Sequence, residues 1–223
     1  MNVFEAIENR KSIRAFKPDE IPLADLHRLA EICQRAPSGT NTQPWKVWFC
    51  RGAVKEKISK TVIAKAMSGK AKSYTDFDYY PESWTDTHNA RRRAVGWSLY
   101  GLLGITKDDR DGRMRQTLRN FQFFDAPVGA FITIEKYLTR GSWADVGLYA
   151  QTMMLAAQEL GIDTCPQAAW IPFQEDIFEI LEIPEDQELV TGMSLGYADP
   201  EKIENTLVSE REPMEDVATF IGF

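Results

Sequence analysis

The sequence is poor in the residues that build disulfide frameworks and metal centres. Its three cysteines, Cys33, Cys50 and Cys165, are far apart and odd in number, and its only histidines are His27 and His88. These counts argue against a disulfide-stapled domain, a CxxC redox pair and zinc sites of the HExxH or Cys/His type. They also leave no signature for a Ser-His-Asp triad. We therefore predict no metal site and a reducing compartment.

Long apolar segments and an excess of basic charge are also missing. The longest apolar stretch, Val128 to Ile134, has the length of a strand, and Glu5 and Glu8 precede any basic residue. This pattern predicts neither a signal peptide nor a membrane span. With 26 Lys plus Arg against 33 Asp plus Glu, the formal net charge is −7, which argues against nucleic acid as a partner. We expect a cytoplasmic protein with no membrane and no nucleic-acid partner.

The chain is long enough, at 223 residues, to bury one sizeable core. No repeat, low-complexity tract or linker divides it, so we predict a single domain over residues 1–223 with a variable excursion around 68–88. Helices and strands do not alternate regularly, which favours the α+β class. Apolar spacing and the positions of Pro and Gly predict helices near 3–10, 22–33, 54–67, 89–104, 112–121, 143–160 and 173–181, and strands over 45–50, 128–134, 164–167 and 188–197.

A basic segment follows the first predicted helix. Side chains of an extended chain alternate between two sides, so Arg10, Ser12 and Arg14 would project to the same side. Two guanidinium groups and a hydroxyl at one place form a phosphate site, because Arg donates bidentately to phosphate oxygens. The alternative interpretation is a solvated basic turn.

A polar loop, APSGTNTQPW over residues 36–45, leads into the first predicted strand. Its Asn and Gln amides offer both a donor and an acceptor, which suits the mixed polar edge of a heterocycle such as a flavin or a purine. The alternative interpretation is a polar turn with favourable turn residues.

The two segments RKSIRAF and APSGTNTQPW together resemble the nitroreductase family of flavoproteins. Three later segments, MMLAAQELGIDTCPQ, GMSLGYAD and SEREPMED, resemble that family in the same order. The resemblance covers nearly the whole chain. It implies an α+β fold with a central, mostly antiparallel sheet flanked by helices. It also implies an intertwined homodimer with two FMN sites, in which the apolar extension Val217 to Phe223 lies on the partner.

The resemblance implies a cradle for the cofactor's phosphate. Arg10, Lys11, Ser12 and Arg14 match the family segment that holds the FMN phosphate and ribityl chain, and Arg211 matches a late basic residue that joins it. Many relatives have a lysine where this chain has serine, two positions before Arg211. We therefore expect Arg211 to carry a larger share of the phosphate charge here.

The resemblance also implies contacts to the flavin ring. Pro37, Ser38 and Asn41 match a loop that reaches the flavin across the dimer interface, and Asn120 resembles an asparagine that faces the pyrimidine end of the ring. A further family segment lies against the ring with its backbone amides near flavin N(5), and it matches Pro166, Gln167, Ala168 and Ala169. Many relatives have an acidic residue and glycine at the two alanines, a change that keeps both backbone amides.

The implied function is that of an FMN-dependent oxidoreductase that uses NAD(P)H to reduce small aromatic acceptors, nitroaromatics such as nitrobenzoates or quinones. The mechanism would be a ping-pong hydride transfer through flavin N(5). Two alternatives stay open: a flavoprotein of the same fold with another task, such as reductive dehalogenation or flavin-consuming chemistry, and a non-catalytic flavin-binding dimer.

Three further features have both a structural and a functional interpretation. Cys165 next to the flavin segment lacks a resolving partner, so we interpret it as a small buried hydrophobe. The arginines at 91–93 indicate a solvated helix face, with steering of anionic substrates as the alternative. Six aromatic residues are candidates either for the substrate pocket or for ordinary packing: Tyr74, Tyr79, Tyr80, Trp84, Phe123 and Phe124.

Overall fold

A four-stranded antiparallel sheet organises the fold, seen in a computed structural model that describes residues 1–69 and 79–223. The strand order is β1-β2-β4-β3, so the two longest strands are central. Every pair of neighbouring strands is antiparallel, as the α+β interpretation required. The strands are β1 (Lys46–Arg51), β2 (Val128–Glu135), β3 (Asp163–Gln167) and β4 (Gln187–Gly196).

Helices cover both faces of this sheet, which explains why β2 is apolar along its length. Residues 128–134 are all buried, as the sequence predicted for a central strand. One core cluster joins the sheet to α2 and α6, and the second joins it to α3, α7 and a group of aromatic side chains. The helices are α1 (Val3–Asn9), α2 (Leu23–Cys33), α3 (Gly52–Met67), α4 (Asp86–Leu102), α5 (Arg110–Arg119), α6 (Arg140–Glu159), α7 (Gln174–Leu181) and α8 (Met214–Val217).

The helix ends follow the local signals in the sequence. Asn2 and Glu5 form a reciprocal capping box at the start of α1, in which each side chain accepts from the other residue's backbone N–H. Gly161, with φ of 68°, follows the end of α6 in the left-handed conformation that glycine adopts without strain. Both boundaries agree with the predictions.

Two predictions from the sequence need correction. The helix predicted over 112–121 ends at Arg119, and a 3-10 segment, Asn120–Asp125, turns the chain into β2. Phe123 and Phe124 lie in this segment with positive φ and are fully buried, so they are core residues and do not wall a pocket. The sequence also predicted α6 to be buried all round, but Leu148 is 47% exposed because only one face of the helix packs on the sheet within the chain.

The remaining candidates for pocket walls divide in two. Tyr79 and Tyr80 border a cleft that is described below, whereas Trp84 packs near His88 with ring centroids 6.5 Å apart. Tyr74 lies outside the described residues.

Within ranges 1–69 and 79–223, no helix has the length and apolar character needed to cross a membrane. The same ranges contain no group of three or more His, Cys, Asp and Glu side chains placed to hold a metal ion.

Gly129 in β2 is a position where packing leaves no space for a side chain. A Cβ built there would lie 2.2 Å from Cε1 of Phe123. We expect Gly129→Ala to lower the free energy of unfolding by about 1–3 kcal/mol, because the buried ring must move. Urea denaturation measures this loss. Gly101→Ala in α4 is the control, since no heavy atom lies within 4 Å of its Cβ; equal stabilities of the two variants would contradict the prediction.

Candidate functional site

The basic segment after α1 is extended and hydrogen-bonded on both sides. The backbone N–H of Ile13 donates to the carbonyl of Thr164 in β3 at 3.0 Å, and the N–H of Lys17 donates to the carbonyl of Tyr197 at 2.8 Å. An isolated parallel bridge pairs Ser12 with the same Thr164. The segment therefore continues the sheet beyond its edge strand, and the alternation of its side chains is fixed by the backbone.

Asn205 holds this segment from the other side. Its Oδ1 accepts from the backbone N–H groups of Arg14 at 2.9 Å and Ala15 at 3.2 Å, and its Nδ2 donates to the carbonyls of Ala15 at 2.7 Å and Asp199 at 3.0 Å. The Nζ of Lys11 donates to the backbone carbonyl of Asn205 at 3.1 Å. The side chain is buried and fully paired, so it acts as a clamp on the backbone.

Arg10, Lys11, Ser12 and Arg14 line one cleft of about 580 Å³, and Arg211 joins them from the carboxyl-terminal side. Arg10, Ser12 and Arg14 share this cleft, as the alternation predicted, and Ile13 and Ala15 are buried, but Lys11 lines the cleft as well. The cleft, named the cationic cleft below, collects four positive side chains and the hydroxyls of Ser12 and Ser209. Arg10 has no acidic partner within the described part of the chain, and the one carboxylate in the lining is Glu8. This donor set suits a phosphate dianion.

Contacts between the carboxyl-terminal segment and α4 keep Arg211 at the cationic cleft. The Nη1 of Arg211 donates to the Oγ of Ser209 at 2.7 Å, so the guanidinium folds over its own loop. One residue further on, Glu212 accepts from the Nε of Arg91 at 2.6 Å. The arginines of α4 were predicted to be a solvated face. The three arginines are exposed, as predicted, and the unforeseen feature is that Arg91 pairs with an acid from a segment distant in sequence.

A second cleft of about 580 Å³ lies beside the end of β3 and is named the ring cleft. None of the side chains that line it in the described part of the chain is charged. Ala168 and Ala169 are the first residues of a 3-10 segment, so their backbone N–H groups have no acceptor within that segment. The cleft thus combines flat apolar walls with backbone and amide donors, and it is lined by Tyr79, Tyr80, Asn120, Pro166, Gln167, Ala168, Ala169, Ile171 and Pro172.

The side chain of Gln167 makes internal hydrogen bonds. Its Oε1 accepts from the Oγ of Ser194 at 2.6 Å, and its Nε2 donates to the backbone carbonyl of Asn120 at 2.8 Å. Gln167 is 3% exposed. It therefore positions Asn120 at the ring cleft, while the Nδ2 of Asn120 donates to the carbonyl of Thr117 at 3.1 Å.

Strand β3 connects the two clefts. Thr164 lies beside Ser12 at the cationic cleft and Gln167 borders the ring cleft, three residues or roughly 10 Å further along the strand. The buried Oγ1 of Thr164 has no hydrogen-bond partner among residues 1–69 and 79–223. Burial raises the pKa of the Cys165 thiol to about 11, despite the opposing charge of Arg14. This supports Cys165 as a buried hydrophobe, since a protonated thiol is a poor nucleophile.

The loop with Pro37, Ser38 and Asn41 does not line either cleft in the described chain. It lies on α6, where the backbone N–H of Gly39 donates to both carboxylate oxygens of Asp145 at 3.2 Å. The Oγ of Ser38 accepts from the N–H of Gln43 at 2.9 Å. Its predicted approach to the ring therefore requires a second chain.

The loop is also strained. Thr40, Asn41 and Gln43 have φ of 48°, 60° and 49°, in the left-handed region that costs non-glycine residues free energy. Strain of this kind collects at functional loops, where the surrounding structure holds it in place.

Comparison with known proteins identifies the family of this site. Residues 7–197 match the sequence model of the Nitroreductase family. The chain belongs to the nitroreductase family. This nitroreductase-family chain is 38% identical to the 4-nitrobenzoate reductase of Pseudomonas putida, over 99% of its own length and 96% of that protein. It is 30% identical to the chloronitrobenzene nitroreductase of Comamonas testosteroni, over 97% and 96% of the two chains.

Solved structures of nitroreductases have the same fold. The FMN and NADPH-dependent nitroreductase NfnB from Sphigopyxis sp. strain HMH matches with a TM-score of 0.96 and 35% identity over all of both chains. The FMN-dependent NfnB from Mycobacterium smegmatis, solved in complex with NADPH, matches with a TM-score of 0.93 and 30% identity over 98% and 97%. The resemblance seen in the sequence and the predicted fold class are both confirmed.

Asn205 and the internal role of Gln167 were not found from the sequence. Gln167 lies in a matched family segment, but that segment does not show that its side chain turns inward. The partners of Asn205 at positions 14 and 15 are 190 residues or more away along the chain. For Asn205, the only signal in the sequence was that a polar residue stands close to the start of the carboxyl-terminal segment.

Removal of the Asn205 clamp provides a test of this arrangement. We expect Asn205→Ala to lower the free energy of unfolding by about 2–4 kcal/mol, because the buried N–H groups of Arg14 and Ala15 lose their acceptor. Chemical denaturation measures the change. Asn89→Ala in α4 is the matched control, and a loss no larger than that of the control would show that the clamp is dispensable.

Proposed function

We propose that this protein is an FMN-dependent NAD(P)H oxidoreductase that reduces nitroaromatic compounds. One observation carries the proposal: a cationic cleft and an uncharged cleft with backbone donors lie at the two ends of one short strand. A ligand with a phosphate at one end and a polar-edged flat ring at the other fits this pair. The named activities of the nitroreductase relatives support the same assignment.

Arg10, Lys11, Ser12 and Arg14 would hold the phosphate. The Arg side chains supply forked donors and Lys11 adds positive charge close to the backbone that Asn205 fixes. Arg211 approaches from the opposite side of the cleft, so the phosphate would be held between two segments of the chain.

Asn120 and the backbone of residues 166–169 would orient the ring. The N–H groups of Ala168 and Ala169, at the start of the 3-10 segment, would donate to an acceptor at the ring edge, the role expected for the amides beside flavin N(5). Asn120 offers an amide at the neighbouring side and is kept there by Gln167. When bound, FMN supplies the hydride and electron transfer that amino-acid side chains do not provide.

The chain's own contribution to the reaction is therefore binding, orientation and access. The described residues of the ring cleft include no Asp, Glu, His, Lys or Arg, so protons for the reduced product would come from water. Tyr79 and Tyr80 border the cleft, and their rings are 4.7 Å apart in an edge-on arrangement. These two rings offer a surface on which a nicotinamide and then a small aromatic acceptor, nitroaromatic or quinone, would stack in turn.

The active unit would be a homodimer. The strained loop around Asn41 and the exposed apolar tail, in which Phe220 is 66% and Ile221 85% exposed, are both left without a partner surface in one chain. A second copy would cover the tail and receive Pro37, Ser38 and Asn41 beside its ring cleft. The three buried free cysteines also agree with the reducing, cytoplasmic location expected from the sequence.

Anaerobic reduction of the purified holoprotein tests the function. We expect a yellow protein whose flavin absorbance is bleached by NADPH or NADH and restored by 4-nitrobenzoate with reduction of the nitro group. Comparing the bleaching by NADPH and by NADH gives the nicotinamide preference. Adding a quinone or a halophenol in place of 4-nitrobenzoate gives the range of acceptors.

The alternatives give different outcomes in this experiment. Dehalogenation of the halophenol without nitro reduction would assign the protein another task within the fold. Flavin reduction no faster than that of free FMN would indicate a binding protein. A preparation that stays colourless after addition of FMN would refute the cofactor assignment itself.

A further inference from the structure

Arg119, the last residue of α5, joins two distant parts of the chain through one guanidinium group. Its side chain is 22% exposed, and its Nη1 donates to the carboxylate of Glu204, whose side chain is 5% exposed. Its Nη2 donates to the Oδ2 of Asp125 at 2.9 Å. Arg119 and Glu204 are 85 positions apart, so this ion pair ties the end of α5 to the carboxyl-terminal part of the chain.

The residues next to this ion pair belong to the two clefts of the candidate site. Asn120 follows Arg119 and lines the ring cleft. Asn205 follows Glu204 and clamps the basic segment of the cationic cleft. One ion pair and two peptide bonds therefore connect the two clefts. This connection is separate from β3, which links the same clefts on the side of the sheet.

Arg119 also supports the strained turn between α5 and β2. Phe123, Phe124 and Asp125 have φ of 54°, 54° and 70°, in the left-handed region. The Cζ of Arg119 lies 6.0 Å from the centroid of the Phe124 ring, and Asp125 is its second acidic partner. The carbonyl of Phe124 accepts from the backbone N–H of Phe16 at 3.1 Å. The turn is therefore held against the end of the basic segment.

Glu204 is a buried carboxylate that depends on Arg119. Among residues 1–69 and 79–223, Arg119 is the cation with which it forms an ion pair. Removing one partner of a buried ion pair leaves an uncompensated charge, and this is costly. Without the guanidinium, Glu204 would move toward water. This movement would displace Asn205, whose Oδ1 accepts from the N–H groups of Arg14 and Ala15.

We propose that Arg119 is a positioning residue of the cofactor site, which couples its phosphate end to its ring end. In the described part of the chain Arg119 lines neither the cationic cleft nor the ring cleft. It acts through Asn120 at the ring and through Asn205 at the phosphate. This inference rests on the proposed function, because it requires FMN to occupy both clefts.

Titration of the apoprotein with FMN and with riboflavin tests the coupling. We expect Arg119→Gln to raise the Kd of riboflavin by about tenfold, because Asn120 is no longer held at the ring, and that of FMN by more. Arg119→Lys should recover only part of the loss, since an ammonium lacks the fork that serves two carboxylates. Arg113→Gln is the control, because it removes the same charge from the same helix, and it should change neither Kd by more than about twofold.

The absorbance of the bound flavin distinguishes positioning from stability alone. In Arg119→Gln it should shift toward the spectrum of free FMN, because the ring is less well held. Glu204→Gln carries the same test if Arg119→Gln does not fold, since it keeps an acceptor for Arg119 and removes the buried charge. It should weaken both flavins in the same direction by about threefold. Flavin affinities and spectra equal to those of Arg113→Gln would overturn the proposal.

Hydrogen exchange of the apoprotein gives a readout that needs no flavin. In Arg119→Gln the amides of Arg14 and Ala15 should exchange at least about tenfold faster, because their acceptor is displaced, whereas the amides of β2 should keep their protection. Unchanged exchange at Arg14 and Ala15 would overturn the coupling. Faster exchange there in a protein that binds no FMN would refute the proposed function and leave the link between the two segments in place.

Discussion

The anchoring of residues 11–17 between β3 and Asn205 is the constraint on which the candidate site depends. Free Arg and Lys side chains lose considerable conformational entropy when they converge on one ligand. Here the backbone is held by Thr164 on one side and by the side chain of Asn205 on the other, so the cationic groups start from fixed positions. Binding then has to order the ends of the side chains only.

Strand β3 of the sheet links the anchored basic segment to the ring cleft. Because β3 is an edge strand, one of its sides pairs with β4 and the other receives the basic segment. The same strand ends where Ala168 begins the next turn, so a single strand fixes the positions of the cationic cleft and the ring cleft relative to each other. Beneath it, Trp170 packs so closely on Gly192 that a Cβ there would lie 2.4 Å from the indole. A packed core of this kind resists displacement of the two clefts.

Local signals in the sequence predicted much of this arrangement. The capping box of α1, the buried strand β2 and the period-two alternation of Arg10, Ser12 and Arg14 depend on neighbouring residues, and each was found where expected. The resemblance to nitroreductases rested on five segments in the family's order, and it predicted the fold.

Features that depend on distant partners escaped prediction. The pairing of Arg91 with Glu212 joins residues 121 positions apart, and a charged helix face gives no sign of such a partner. The inward turn of Gln167 toward Ser194 depends on the register of β3 against β4. Apolar residues lie nearly all round α6, which predicted that the helix is buried, yet Leu148 is exposed. A sequence does not tell whether an apolar helix face packs on the same chain or on another.

Comparison of the binding of FMN and riboflavin tests the central claim most directly, because the two ligands differ only in the phosphate. Fluorescence titration of the apoprotein should show FMN bound at least roughly 100-fold more tightly than riboflavin. Arg211→Gln should reduce that ratio by about tenfold without changing the affinity for riboflavin. Equal affinities for the two flavins, or a loss of riboflavin binding as large as that of FMN in the variant, would contradict a cationic cradle built on the clamped segment.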